Sequence, residues 1–295
     1  MFSEPVSTAT DVGFGLATAG AYGTSDYLAK TATVRIGFVP TLLYLELLGT
    51  PFLAVLAWVL ERGQPIALGE PLVLLLVLST VLVVGTFNLF RSFEFGQLSI
   101  VSPLASGYPA LIVLLSLIVL GERLTLGAGV GVVLTILGMV LVTQAKTAPG
   151  ASRRPKNPRL GLLSAMAAFV AFAVFYFGLK FVVGPIPPIT TAAISRGVGA
   201  VSVLGYLAVA RSFPLPPRNL WPRLVSVAVL DSTANVFYNY GLVFTHSLAV
   251  LGTLSGLFSA VTVAWAVAFL GERLTRVQWA GVASIFLGVA LLSIG

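Results

Sequence analysis

The chain has 295 residues, 57% of them hydrophobic and 9% charged, with a mean hydropathy of +1.01. A soluble domain carries roughly 25% charged residues, so a water-facing surface for a protein of this size is excluded and lipid is the solvent that fits. The formal net charge of +7 sits mostly between apolar segments, a pattern of membrane orientation rather than of nucleic-acid binding.

The first apolar run covers 12–30. The segment before it, MFSEPVSTATD, has no basic residue, so a cleaved signal peptide is not expected. Runs follow at 37–60, 71–93, 98–120 and 125–143, then a polar, basic stretch at 144–159. Five more lie at 160–180, 189–210, 222–244, 247–269 and 275–294. A spanning helix needs roughly 20 residues. These runs are too long for strands, and helices satisfy their own backbone groups in lipid. The expected fold is an all-α integral membrane protein with ten transmembrane helices, numbered here as spans 1–10. The shortest joints fall between spans 3 and 4 and between spans 8 and 9.

An internal repeat organises the spans. Leu120-Gly-Glu-Arg-Leu-Thr125 recurs as Leu270-Gly-Glu-Arg-Leu-Thr275, an offset of 150 (271 minus 121). At the same offset Gly131 meets Gly281, Gly138 meets Gly288 and Lys30 meets Lys180. The chain therefore divides into a first five-helix unit (1–143), a basic linker (144–159) and a second five-helix unit (160–295). Five is odd, so the second unit is inverted in the membrane, as in many secondary transporters.

Basic residues give the orientation. Thirteen Lys and Arg, five of them in the linker, lie on the side reached by connections 1–2, 3–4, 5–6, 7–8 and 9–10. Only Arg62, Arg123 and Lys180 lie opposite. The positive-inside rule puts the linker in the cytoplasm and both termini outside.

A Gly-Glu-Arg-Leu-Thr turn leading into a Gly-rich last helix, twice in ten spans, resembles the drug/metabolite transporter superfamily, its EamA-type members above all. Gly96-Gln-Leu-Ser-Ile-Val-Ser-Pro-Leu104 and His246-Ser-Leu-Ala-Val-Leu-Gly-Thr-Leu254 resemble its fourth and ninth helices. The resemblance implies a central cavity lined mainly by spans 1, 3, 4, 6, 8 and 9, with spans 5 and 10 as scaffold. It also implies transport of small metabolites such as amino acids, nucleotide sugars, purines or drugs. Two features depart from it. Many members keep both termini in the cytoplasm. The arginine often carried in helices 2 and 7 is present here only as Arg196, whose repeat mate is Glu46.

Ionisable residues deep in spans are costly, about 2.5–3.5 kcal/mol each on insertion scales. Glu46, Arg196 and Asp231 are the foremost candidates for substrate or proton contact, with a mutual Glu46–Arg196 pair as the structural alternative. Asp231 has no charged neighbour within its own span. Asp231, Asn235 and Tyr238 recur at helical spacing and form one stripe. Tyr22 and Asp26, one turn apart, share a face of span 1. Asn88, the repeat mate of Tyr238, and Arg91 complete the candidate substrate-binding or coupling set. Arg91 and Glu94 are explained as well by an interfacial salt bridge. Tyr108-Pro109, Trp265 and Gly252-Thr-Leu-Ser-Gly256 read mainly as packing features, and Trp58 as an interface anchor. His246 reads as a surface turn residue more than as a proton relay.

The Gly-Glu-Arg-Leu-Thr turn reads as a connection in which Gly ends one helix, Glu and Arg stay in water, and Thr caps the next. Gly127, Gly131, Gly138, Gly281 and Gly288 permit close helix packing in spans 5 and 10, and a homodimer through these two spans is a further expectation.

With no cysteine and one histidine, disulfides, thiol chemistry and histidine-rich metal sites are excluded. No phosphate-binding Gly-x-x-x-x-Gly-Lys-Ser/Thr loop or His-Glu-x-x-His pattern occurs, and no cofactor is expected. The sequence therefore points to a secondary transporter rather than an enzyme. It would move a small polar metabolite such as an amino acid or similar zwitterion, more readily outward than inward, driven by protons or by exchange. A channel or a scaffold is the main alternative, and an intramembrane enzyme a more distant one.

Overall fold

The computed structural model describes residues 8–121, 126–144, 156–211, 215–244 and 255–292. Its α-helices, in chain order, are α1 (Thr8–Ile36), α2 (Phe38–Leu60), α3 (Glu70–Phe95), α4 (Leu98–Ser106), α5 (Tyr108–Leu120), α6 (Leu126–Gln144), α7 (Pro158–Leu179), α8 (Pro188–Ala210), α9 (Trp221–Phe244), α10 (Phe258–Leu270) and α11 (Arg276–Leu292). Among the described residues there is no strand beyond one isolated bridge, Val183 with Ile186. On length and composition alone α2, α3, α7 and α8 can cross a membrane. Large apolar side chains such as Leu68, Ile118, Leu126, Val201 and Val209 point outward, as lipid-facing residues do and as soluble surfaces rarely tolerate.

Most span limits lie within a few residues of the sequence reading. Span 1 differs most, because Thr31–Ile36 holds no helix breaker before Gly37, whose φ is +86°. Span 4 is interrupted at Gly107 between α4 and α5. Pro109 follows two residues later, and proline disfavours a continuous helix before it. Leu257 interrupts span 9 at the repeat-equivalent position, immediately before α10. The amide of Ala110 donates to Gly107 O (3.1 Å), and that of its mate Ala260 donates to Leu257 O (2.9 Å).

Helix pairing follows a pseudo-twofold axis. α1 packs along α9 and α7 along α3, which are equivalent pairs. α1 also meets α10 as α7 meets α5, while α2 pairs with α8 and α6 with α11. In that last pair a Cβ at Gly138 would lie 2.6 Å from Gly281 O, and one at Gly288 would lie 2.7 Å from Gly131 O. The glycine faces of spans 5 and 10 are therefore used within the chain. The outer face of α6, with Leu126, Val130, Val133 and Leu137, stays exposed.

Alternate connections gather at opposite ends. At one end the Phe38 amide donates to Glu94 Oε2 (2.9 Å), and Lys156 pairs with Glu94 Oε1 (2.9 Å). The Asn157 amide donates to Phe95 O there (3.2 Å). Lys30 Nζ donates to the carbonyls of Phe93 and Gly96, closing the C-terminus of α3. At the other end the Ala67 amide donates to Pro185 O (3.1 Å). This is the arrangement of two inverted five-helix units. The interfacial bridge of Glu94 thus runs to Lys156 at the end of the linker.

The second Gly-Glu-Arg-Leu-Thr copy is a helix connection, with one correction. Gly271 takes a left-handed conformation at the end of α10 (φ +63°). Thr275 and Gln278 cap α11 reciprocally, Gln278 N donating to Thr275 Oγ1 (3.2 Å) and Thr275 N to Gln278 Oε1 (2.8 Å). Glu272, however, is not in water. It is buried, and its carboxylate accepts from the amides of Leu98 (2.9 Å) and Ser99 (2.8 Å) and from Ser99 Oγ (2.6 Å). The N-terminus of α4 leaves orphan N–H groups and a positive dipole end, which explains why a carboxylate is drawn inside. Glu122–Thr125 of the first copy, and His246, Gly252 and Thr253, lie outside the described residues.

Candidate functional site

A cavity of about 60 Å³ lies where the two halves meet. Span 1 contributes Tyr22 and Asp26, and α3 contributes Leu82, Thr86, Leu89 and Phe90. Tyr108 comes from α5, Phe172 and Tyr176 from α7, Arg196 from α8, and Asp231 and Asn235 from α9. Ser255 and Phe258 come from span 9. These are the spans the resemblance implied, with α8 added through Arg196. A cavity of this volume has room for a few waters.

Its charged wall is a triad from three helices. Arg196 Nη2 donates to Asp231 Oδ2, and Arg196 Nη1 lies 3.5 Å from Glu46 Oε2. Arg196 is 8% exposed and Glu46 4%. Asn235 Nδ2 donates to Asp231 Oδ2 (3.1 Å) and to the Asp231 carbonyl (2.9 Å), fixing the carboxylate from one turn below. Arg196 supplies Asp231 with the charged neighbour that span 8 lacks, and it joins the Glu46 pair and Asp231 into one network. Glycines make room for it at repeat-equivalent positions. A Cβ at Gly199 would lie 2.6 Å from the Glu46 carboxylate, and one at Gly49 2.8 Å from Ser232 Oγ and 3.4 Å from Arg196 Cδ.

Asp26 stands apart from this network. It is 5% exposed and lines the cavity, and among the described residues Oδ2 has only long hydroxyl contacts, 3.4 Å to Ser102 Oγ and 3.5 Å to Thr262 Oγ1. Aromatic rings line the same cavity. Tyr176 stacks on Tyr108 with centroids 4.9 Å apart. The Tyr22 and Tyr176 hydroxyls are 3.5 Å apart. Tyr22 meets Phe258 edge-on at 5.9 Å, and its mate Phe172 meets Tyr108, the mate of Phe258, edge-on at 6.2 Å.

Of the residues singled out in the sequence, Tyr22, Asp26, Arg196, Asp231 and Asn235 line the cavity, and Glu46 joins through Arg196. Tyr238 is buried behind it against Tyr176, ring centroids 5.0 Å apart. Asn88 bonds its own helix, Nδ2 to Val84 O (2.9 Å), and does not line the cavity. Arg91 does not line it either. Both lie on faces of α3 that turn away from the cavity-lining Leu82, Thr86 and Leu89.

Tyr108 is a lining residue rather than a packing feature. Phe172, Tyr176 and Phe258 were missed, yet they are the 150-residue mates of Tyr22, Asp26 and Tyr108. Applying the offset to the candidates already chosen finds them. Trp265 packs beside span 1, its Nε1 donating to Thr24 Oγ1 (3.3 Å). Trp58 is exposed with Arg62 over its ring, as an interface anchor is placed.

A family model described as the EamA-like transporter family matches residues 11–144 and again residues 159–294. An uncharacterized protein of Methanocaldococcus jannaschii is 44% identical over 68 residues, 23% of this chain and 50% of that protein. The chain thus spans about half the length of that curated relative. A solved structure described as the crystal structure of a protein aligns with a TM-score of 0.70 at 19% identity, covering 98% of both chains. That likeness is one of fold.

Proposed function

The chain belongs to the EamA-like transporter family, and from that premise we propose that this membrane transporter is a secondary active one, moving a small polar metabolite that carries an amino group, amino acids included, across the cell membrane. The observation that carries the proposal is the placement of Arg196, Asp231 and Asp26 on one cavity between two inverted halves. Charges buried at that depth are costly unless they pair, and where they line a cavity they mark substrate or ion pathways.

The cavity is tight in this conformation, about 60 Å³, and passage to either face of the membrane requires the halves to part. The pseudo-twofold arrangement supplies two equivalent ways of parting, one toward each face of the membrane. Either half rocks against the other about the α2–α8 and α6–α11 pairs. Carboxylates in the cavity suit coupling to protons or to exchange, with export as the working direction.

Flux measured in proteoliposomes, with and without a pH gradient, tests this. The expected result is accumulation or efflux of an amino acid or similar solute above empty liposomes, changed by the gradient. Flux equal to that of empty liposomes for every metabolite class tried would remove the transport reading, and single-channel conductance in a planar bilayer would replace it with a pore.

A further inference from the structure

The charges around the cavity do not balance. Arg196 is the only cation among the described residues that line it. It already serves two carboxylates, donating to Asp231 and lying 3.5 Å from Glu46. A substrate carboxylate would have to displace one of them, leaving that group buried without a partner, which is strongly unfavourable. Among the described residues the site therefore offers no spare cation for an anionic group.

Asp26 is the reverse case. No cation reaches it among the described residues that line the cavity, and its hydroxyl contacts from Ser102 and Thr262 are at 3.4 and 3.5 Å. Tyr22, Tyr108 and Tyr176 line the same cavity as Asp26, with Phe172 and Phe258 beside them. An aromatic enclosure attracts a cation through the ring quadrupoles, most strongly where water is excluded. A carboxylate set within it supplies the charge.

We infer that the cavity recognises an organic ammonium group, seated between Asp26 and the Tyr22–Tyr108–Tyr176 rings, and that it prefers an amine bearing net positive charge to a zwitterion or an anion. This rests on the transporter reading for its biological use, but as a binding statement it stands on the geometry alone.

Asymmetry between the halves supports it. The repeat mate of Asp26 is Tyr176, that of Tyr22 is Phe172 and that of Tyr108 is Phe258. The rings form a near-symmetric frame, and the carboxylate occurs on one side of it only. A carboxylate at one of two equivalent positions in a near-symmetric aromatic frame fixes one charged group in one orientation.

Equilibrium binding to the purified full-length chain in nanodiscs, by calorimetry, tests the inference with probes sharing one carbon frame: isobutylamine, valine and isovalerate, with tetramethylammonium as a pure cation. The expected order is isobutylamine tightest, by about tenfold over valine, with no measurable binding of isovalerate; tenfold is the size of one desolvated cation–π or ionic contact. Tetramethylammonium should bind as well. Asp26→Asn should weaken both amines by about tenfold or more. Tyr176→Leu should weaken them several-fold while leaving the carboxylate in place.

Valine or isovalerate binding as tightly as the amine, failure of both ammonium probes to bind, or unchanged amine affinity in Asp26→Asn would each overturn the inference. The probe series on the unmodified chain decides the matter even where a variant does not fold. Flux in the same lipid separates the two readings. Amine binding without flux of any solute leaves this inference standing and removes transport. Valine flux without amine binding does the opposite.

Discussion

Glu46 and Arg196 stand at equivalent positions of the two halves and face each other, Arg196 Nη1 lying 3.5 Å from Glu46 Oε2. They lie on α2 and α8, which pair with each other across the pseudo-twofold axis. On such self-paired helices, equivalent positions meet. Identical charges there would repel, so divergence of this position into opposite signs has a direct physical reason. Asp231 adds a second carboxylate on the Arg196 side, where the equivalent position in the first half is Val81.

Removing the shared cation should therefore be costly. Arg196→Met leaves the buried Glu46 and the partly buried Asp231 without a counter-ion, and the expected loss is about 3–5 kcal/mol. Arg196→Lys should recover little, because an ammonium cannot reach two carboxylates as a guanidinium fork does. Exchanging the pair (E46R/R196E) should not restore stability, since a carboxylate at 196 then faces Asp231; adding Asp231→Asn should recover part of it. Thermal unfolding in detergent checks the series, and a stable Arg196→Met chain would contradict the network.

Gly199 is the tightest neighbour of that network. The added methyl of Gly199→Ala would fall 2.6 Å from the Glu46 carboxylate, so the carboxylate must move off Arg196. Overpacking of this kind costs about 1–3 kcal/mol. Gly197→Ala and Gly205→Ala, where a Cβ meets nothing within 4 Å, provide the contrast and should be neutral or up to about 1 kcal/mol more stable, as helix propensity favours alanine. Equal effects at all three sites would assign the loss to backbone propensity instead of crowding.

Asp231 bears on transport more than on insertion. Asp231→Asn keeps the shape and the hydrogen bonds available to Asn235, but leaves Arg196 with Glu46 as its one carboxylate. The expected outcome is normal yield and monodispersity with flux reduced at least about tenfold, the size of one charged hydrogen bond. Flux indistinguishable from that of the unmodified chain would remove Asp231 from the working site.

Much of this fold is legible in the sequence because lipid imposes long helices and a 150-residue repeat survives in the Leu-Gly-Glu-Arg-Leu-Thr hexapeptide. The triad is half legible. Burial cost singles out Glu46, Arg196 and Asp231, and the repeat offset sets Glu46 against Arg196, but only three-dimensional packing shows that the same arginine also serves Asp231. Asn88 misled because its polarity is satisfied by Val84 O in its own helix, an outlet that makes a polar residue cheap on any face. Glu272 misled for a related reason. A carboxylate in a surface turn reads as solvated until the open N-terminus of another helix, here α4, comes within reach.

That N-terminus has a counterpart at the other end of the molecule. Glu61, just past α2, is buried and accepts from the amides of Ile189 and Thr190 and from Thr190 Oγ1, all at 2.7 Å. It does for α8 what Glu272 does for α4. Each cap joins one half of the chain to the other, and each sits at an opposite end. Neutralising either, with Glu61→Gln or Glu272→Gln, removes the charge at the helix dipole and forces one acceptor oxygen to become a donor facing N–H groups. The expected destabilisation is about 1–2 kcal/mol for each. The two sites share no partner, so the double variant should show the sum within about 0.5 kcal/mol. Thermal or denaturant unfolding of the four chains measures this. A double variant much less stable than the sum would mean that the two ends are coupled, each cap supporting the other through the helices between them.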